Sequence, residues 1–185
     1  MRPFPNKSYQ CLVADPPWSY ENKNTGGSMK SGSVSKYPVL TLDEIKELPV
    51  RDITNRDAIL FLWVTVPLKH EIARSGLVEA WGFKYKTSLY WNKLSYGMGF
   101  WYRGQVEECW MCTKGNIKAF RSSKPNIFQS KPRKHSQKPE EFFGLIEPEL
   151  DKYELTDRIE LFARERRPGW DCWGNEVGVG PAIQE

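Results

Sequence analysis

Residues 58–64, Ala-Ile-Leu-Phe-Leu-Trp-Val, are apolar without a break. The run is far shorter than the ~18 apolar residues a membrane-spanning helix needs. A strand with one wet face alternates apolar and polar residues, so an unbroken run predicts a strand buried on both faces, as in a parallel sheet covered by helices. The rest of the chain supports that reading. Residues 9–14 form a second short apolar run that stops at Asp15-Pro16-Pro17-Trp18, where two prolines end a ladder and stiffen the turn. Thr41-Leu-Asp-Glu44 reads as an N-cap with an acidic first turn, predicting a helix to about Leu48. Residues 67–81 have helical spacing with a proline at the start and Gly82 at the end. Strands are expected over 84–91, 106–113 and 158–163, a helix from Glu140 to about Ile146, and a final turn or short strand over 169–175. Alternating strands and helices predict an α/β domain with a mostly parallel sheet, whose ligands bind beyond the carboxyl ends of the strands. Asp15 and Arg164 each lie at such an end. We expect one domain over the 185 residues, with mobile loops at about 19–40, 93–104 and 114–137.

The net charge of +4 is unevenly placed. Eight basic residues and no acid lie between Lys114 and Lys138, and the remainder of the chain holds 19 basic against 23 acidic residues. Two readings compete for this strip: a solvated loop, or a surface for phosphates. Twenty-five aromatic residues argue against disorder. The amino terminus has no apolar core of a signal peptide, so the cytoplasm and a reducing environment are expected. Cys109 and Cys112 form a CxxC, but on a strand they point to opposite faces. Cys11 and Cys172 are isolated. All four are read as small core residues, and no metal site is expected.

Asp15-Pro16-Pro17-Trp18 places a carboxylate, a rigid backbone and a flat ring within four residues. The exocyclic amine of a nucleobase is a poor nucleophile, because its lone pair is delocalised into the ring. A carboxylate and a fixed carbonyl, here that of Pro16, can each accept one of its N–H bonds and aim the lone pair at an electrophile. Proline rigidity holds that carbonyl without entropy to lose on binding. Trp18 would stack on the base, worth roughly 1–3 kcal/mol, and in duplex DNA the base must first leave the stack. The competing reading is a proline-rich turn with a buried tryptophan.

The sequence resembles the adenine methyltransferase family that includes the catalytic subunit of the eukaryotic mRNA adenosine methyltransferase and its bacterial and phage homologues. The matching pieces run through nearly the whole chain. They are Ala14-Asp-Pro-Pro-Trp18, Leu60-Phe-Leu-Trp-Val-Thr65, Trp81-Gly-Phe-Lys-Tyr85, Trp91-Asn-Lys93, Gly97 to Arg103 with Glu108, His135-Ser-Gln-Lys-Pro139, Glu160-Leu-Phe-Ala-Arg164, and Gly169-Trp with Trp173-Gly-Asn175. The resemblance implies a Rossmann-like fold in the permuted, beta-class motif order. It also implies S-adenosylmethionine as methyl donor and the N6 amine of adenine as acceptor. It places Asp15, Pro16, Pro17 and Trp18 at the chemistry. Lys138 would meet the cofactor carboxylate, with Asp15 beside it. Arg164 and Asn175 would contact ribose and tail, Glu176 the ribose hydroxyls, and Arg166 is a weaker transfer.

Departures limit the transfer. Residues 19–38 do not match the eukaryotic loop, and upstream cofactor contacts of larger relatives have no counterpart expected here. Trp63, Trp81 and Trp110 read as core. Trp101 and Arg103, in a glycine-rich loop, and Lys124, Lys131, Arg133 and Lys134 are the expected nucleic-acid contacts. The expected function is N6-adenine methylation of DNA, favoured over RNA on the stripped-down, prokaryotic-looking architecture. Its rivals are the same reaction on RNA, cytosine methylation, and a non-catalytic nucleic-acid-binding partner subunit. The resemblance leaves a homodimer or a heterodimer open, and implies no membrane partner.

Overall fold

The computed structural model describes residues 3–19, 39–97, 101–117, 122–133, 137–175 and 177. Most of the expected loop at 19–40 lies outside them, as do residues 98–100 and parts of the segment 114–137. Seven strands form one sheet: β1 (Tyr9–Ala14), β2 (Thr54–Val64), β3 (Lys84–Asn92), β4 (Val106–Lys114), β5 (Ile127–Gln129), β6 (Arg158–Leu161) and β7 (Asp171–Trp173). Their order is β5-β3-β4-β2-β1-β6-β7. β1 pairs in parallel with β2 and β6, β6 with β7, and β3 with β5, whereas β4 runs antiparallel to both of its neighbours. The mostly parallel sheet is therefore present.

The unbroken apolar run of β2 is buried on both faces. Leu60, Leu62 and Val64 pack with Ile45, Ile72, Leu77 and Trp81 on one side, and Ile59, Phe61 and Trp63 pack with Phe142, Phe143, Ile146 and Leu150 on the other. The first side belongs to α1 (Leu42–Lys46), α2 (Lys69–Ser75) and α3 (Leu77–Ala80), the second to α4 (Glu140–Lys152). Trp63, Trp81 and Trp110 are all buried. Cys109 and Cys112 fall into opposite clusters, and all four cysteines are free and buried. Burial pushes the Cys109 thiol well up.

The capping box at Thr41 forms as expected: its hydroxyl accepts the Glu44 amide N–H at 3.2 Å, and Glu44 accepts the Thr41 amide at 2.8 Å. Three expectations need correction. The single helix over 67–81 is a 3₁₀ turn followed by α2 and α3, broken at Gly76, where φ is +69°. A glycine can end a helix in that left-handed conformation without cost, and the apolar spacing on either side carries no sign of the break. β5 lies inside a segment expected to be loop. It has three residues, only one of them partly buried, and forms through pairing with Tyr90–Asn92 rather than through any pattern of its own. Finally, α4 runs on to Lys152 through Pro148. Proline removes the N–H that would reach the Gly144 carbonyl, and the Lys124 ammonium donates to that carbonyl instead, at 3.4 Å.

No helix of the described residues is long and apolar enough to cross a membrane.

Candidate active site

β1, β2 and β6 are parallel neighbours, so Asp15, Thr65 and Phe162 emerge together at their carboxyl ends. The double proline turns the chain at once. The Trp18 amide donates to the Pro16 carbonyl at 2.9 Å, and the Leu40 amide donates to the Pro17 carbonyl at 2.9 Å. The Pro16 carbonyl is thereby held in direction while one of its lone pairs stays available. Trp18 is 9% exposed, and its indole N–H donates to the Trp63 carbonyl at 3.2 Å. Protein therefore covers most of that ring, and the remainder lines a cleft.

This cleft has a volume of about 900 Å³, at the upper end of what small-ligand sites use. Asp15, Pro16 and Trp18 line it, together with Tyr102, Arg103 and Glu107. A second, far tighter recess continues from Asp15 and Lys138 toward Glu160, Phe162 and Arg164. Asp15, Lys138 and Arg164 border both spaces.

The centre of this shared wall is Lys138. Its ammonium lies 2.9 Å from Asp15 Oδ2 and 3.2 Å from Glu107 Oε2, and 5.0 Å from the centre of the Trp63 ring. Burial alone would lower the Lys138 pKa; the carboxylates of Asp15 and Glu107 outweigh it and raise the pKa above the ordinary lysine value. Lys138 therefore stays charged, and it draws Asp15 and Glu107 together from two strands.

A family model, MT-A70, matches residues 9–176. The chain belongs to the MT-A70 family. The type II methyltransferase M.MunI of Mycoplasma sp. is 36% identical over 192 residues, covering 94% of this chain and 80% of that protein. The mouse N(6)-adenine-specific methyltransferase METTL4 is 29% identical, covering 96% of this chain and 40% of METTL4. The zebrafish N(6)-adenosine-methyltransferase subunit METTL3 is 29% identical, covering 91% of this chain and 28% of METTL3. This MT-A70 chain thus spans most of M.MunI and well under half of either vertebrate protein.

The other expected site residues of this MT-A70 domain scatter more widely. Arg164 reaches the shared wall. Asn175 follows β7, one residue after Gly174, where β6 and β7 end side by side. Arg166 is exposed and donates to the Val177 carbonyl at 3.4 Å. Glu176 and Lys134 lie outside the described residues. Trp101 is 100% exposed, beyond the cleft wall.

Among the described cations of the basic strip, all but Lys131 meet an acceptor within the fold. Lys114 donates to the Thr54 carbonyl, Lys124 to Gly144, and Lys138 faces two carboxylates. Arg133 pairs with Glu140 at 2.5 Å and Glu165 at 2.9 Å. Lys131 is exposed. These partners come from distant parts of the chain, so a local charge count could not anticipate them.

Sequence reasoning missed Glu107. The signal was present: on β4, successive side chains alternate faces, so the adjacent acids Glu107 and Glu108 must diverge. Glu107 turns to Lys138. Glu108 is buried on the other side, accepting from Ser88 Oγ at 2.7 Å, Trp110 Nε1 at 3.0 Å and Lys69 Nζ at 3.4 Å.

Glu160 was also missed as an individual group. Burial raises its pKa to about 7, with Arg167 opposing and Asp15, Glu165 and Glu140 adding to the rise. A carboxyl whose folded pKa exceeds its unfolded value binds more protons when folded, so stability falls as pH rises through the interval from its unfolded pKa to about 7. We expect Glu160→Gln to remove that loss, with a gain of at most about 3 kcal/mol above the interval. Urea unfolding of both proteins on either side of the interval checks this; parallel pH profiles would exclude Glu160 as the cause.

Proposed function

We propose that this MT-A70 domain transfers the methyl group of S-adenosylmethionine to the N6 amine of adenine in DNA. The observation that carries the reading is Asp15: a carboxylate at the end of β1, followed by a rigid Pro-Pro turn, opening on a cleft that Trp18 also lines. Asp15 and the Pro16 carbonyl accept the two N–H bonds of the amine. The lone pair is then directed away from both acceptors. The amine loses its proton after methyl transfer, so no separate general base is required.

The chemistry of the donor set fits the cofactor. S-adenosylmethionine supplies an electrophilic methyl group on a sulfonium cation, beside an α-carboxylate and an α-ammonium. The tight recess offers cations, Lys138 and Arg164, next to carboxylates, Asp15 and Glu160. The Trp63 indole N–H is buried without an acceptor among the described residues, and its ring lies under Lys138. Lys138 holds the carboxylate in this reading, and Arg164, Asn175 and Glu176 hold the ribose end, with Arg166 nearby. Arg103 at the cleft rim and the exposed Lys124 and Lys131 take phosphates; Arg133 and Lys134 belong to the same strip.

DNA is favoured over RNA because the relative matched over most of its own length is a type II methyltransferase. Labelled methyl transfer from S-adenosylmethionine to matched DNA and RNA oligonucleotides tests the reading. Label at N6 of adenine, faster on DNA, is the expected result. Transfer to RNA alone would reassign the substrate, and transfer to neither would remove the catalytic reading in favour of a nucleic-acid-binding subunit.

A further inference from the structure

The segment between β3 and β4 is tied at its base, and its described residues beyond the base carry exposed rings. The Lys93 amide donates to Gln105 O at 2.9 Å and the Gly97 amide to Gly104 O at 2.7 Å. The Asn92 side chain accepts from the Leu94 amide at 3.1 Å and from the Gln105 amide group at 2.9 Å. Above this stem, Trp101 is 100%, Tyr102 89% and Tyr96 78% exposed. Large exposed rings gathered on one segment often mark a binding site. Trp101 is held at φ +63°, a conformation rare for a bulky residue. Tyr102 and Arg103 border the same cleft as Asp15 and Trp18. From Lys93 to Gln105 there are two cations and no carboxylate; Lys93 pairs with Glu107 at 3.4 Å, which leaves the exposed Arg103 as the cation beside the rings. Rings and positive charge continuous with a base-sized cleft match the two faces of a nucleic-acid strand, bases and phosphates, better than they match a protein surface.

We propose that Trp101 and Tyr102 stack on unpaired bases flanking the target adenine, so that this domain takes a strand with open bases in preference to a closed duplex. The inference rests on reading the cleft as the adenine site. Every base offers a π-face, so stacking tolerates any flanking sequence. In a closed duplex those faces are already covered, and only a flipped or unpaired base presents one. The tied stem carries the rings at the rim, and Arg103 meets the adjoining phosphate.

The test is fluorescence anisotropy with a labelled adenine-containing oligonucleotide, single-stranded and fully paired. It compares the intact chain, the double variant Trp101→Ala/Tyr102→Ala, and Trp101→Phe/Tyr102→Phe. The intact chain should bind the single strand more tightly. The alanine pair should weaken that binding by ~10-fold or more, with a much smaller change on the duplex, and the phenylalanine pair should restore most of it. Equal losses on both forms, no loss on the single strand, or a phenylalanine pair as weak as the alanine pair would overturn the proposal. So would loss, in the alanine pair, of an oligomer that the intact chain forms in sedimentation, because the tip would then be a contact between copies. Methyl transfer is measured separately on both forms. If the binding pattern holds and no methyl group is transferred, the methylation reading fails and the stacking inference stands.

Discussion

Asp15→Ala is expected to lower methyl transfer by roughly 10³-fold or more while S-adenosylmethionine binding changes little. In the proposed reaction this carboxylate accepts one N–H of the amine beside the Pro16 carbonyl, and without it the lone pair has no reason to leave conjugation with the ring. Asp15→Asn should lose less than Asp15→Ala, because its amide oxygen still accepts an N–H but without the charge that strengthens the bond. Neither change strands a buried cation: Lys138 keeps Glu107 at 3.2 Å, so both variants should fold. Initial rates with saturating oligonucleotide, alongside calorimetric cofactor binding, separate the two effects. Activity of Asp15→Ala within tenfold of the intact chain would remove Asp15 from the chemistry.

Gly174→Ala is expected to lower stability sharply. A Cβ at this position would lie 2.4 Å from Ala163 O, 2.8 Å from Ala163 N and 3.1 Å from Phe162 C. All three are backbone atoms, so no side chain can swing aside. β7 must part from β6, stretching the bond from the Ala163 amide to Trp173 O, now 3.1 Å. Overpacking of this kind costs about 3 kcal/mol, or roughly 10 °C of Tm for a domain of this size. Asn175 is the next residue, so cofactor affinity should fall with stability. Gly144→Ala is the matched control. Nothing lies within 4 Å of its added Cβ, and alanine in a helix interior gains about 1 kcal/mol. Thermal unfolding of the pair decides: a Gly174 variant as stable as the intact chain would mean the strand ends are not packed this tightly.

These two positions also show what could be read in advance. Asp15-Pro-Pro-Trp18 could be picked out as a candidate site within four residues, because acceptor, rigidity and ring are local properties. The Trp-Gly-Asn segment was visible only as a match. The reason for its glycine is a close crossing of strand ends eleven residues apart in sequence, between Ala163 and Gly174. Glu107 and Glu160 went unassigned for a related reason. A carboxylate acquires a role from what it faces, and their partners, Lys138 for one and Asp15 and Arg167 for the other, come from other strands and loops.

The basic strip shows the same limit. Eight cations in 25 residues left a solvated loop and a phosphate surface both open; among the described ones, Lys114, Lys124, Arg133 and Lys138 each meet an acceptor within the fold. Charge counts are local, whereas desolvation and pairing are not.

From residue order alone came the α/β class, the burial of β2 on both faces, the capping box at Thr41 and the turn that carries Asp15. Each of these follows from periodicity, capping or proline geometry over a few neighbouring residues. Tertiary structure decided the rest: the break at Gly76, the edge strand β5, the passage of α4 through Pro148, and the bridge of Asp15, Lys138 and Glu107. Those features depend on groups far apart in sequence meeting at defined distances, and only the folded sheet brings them together.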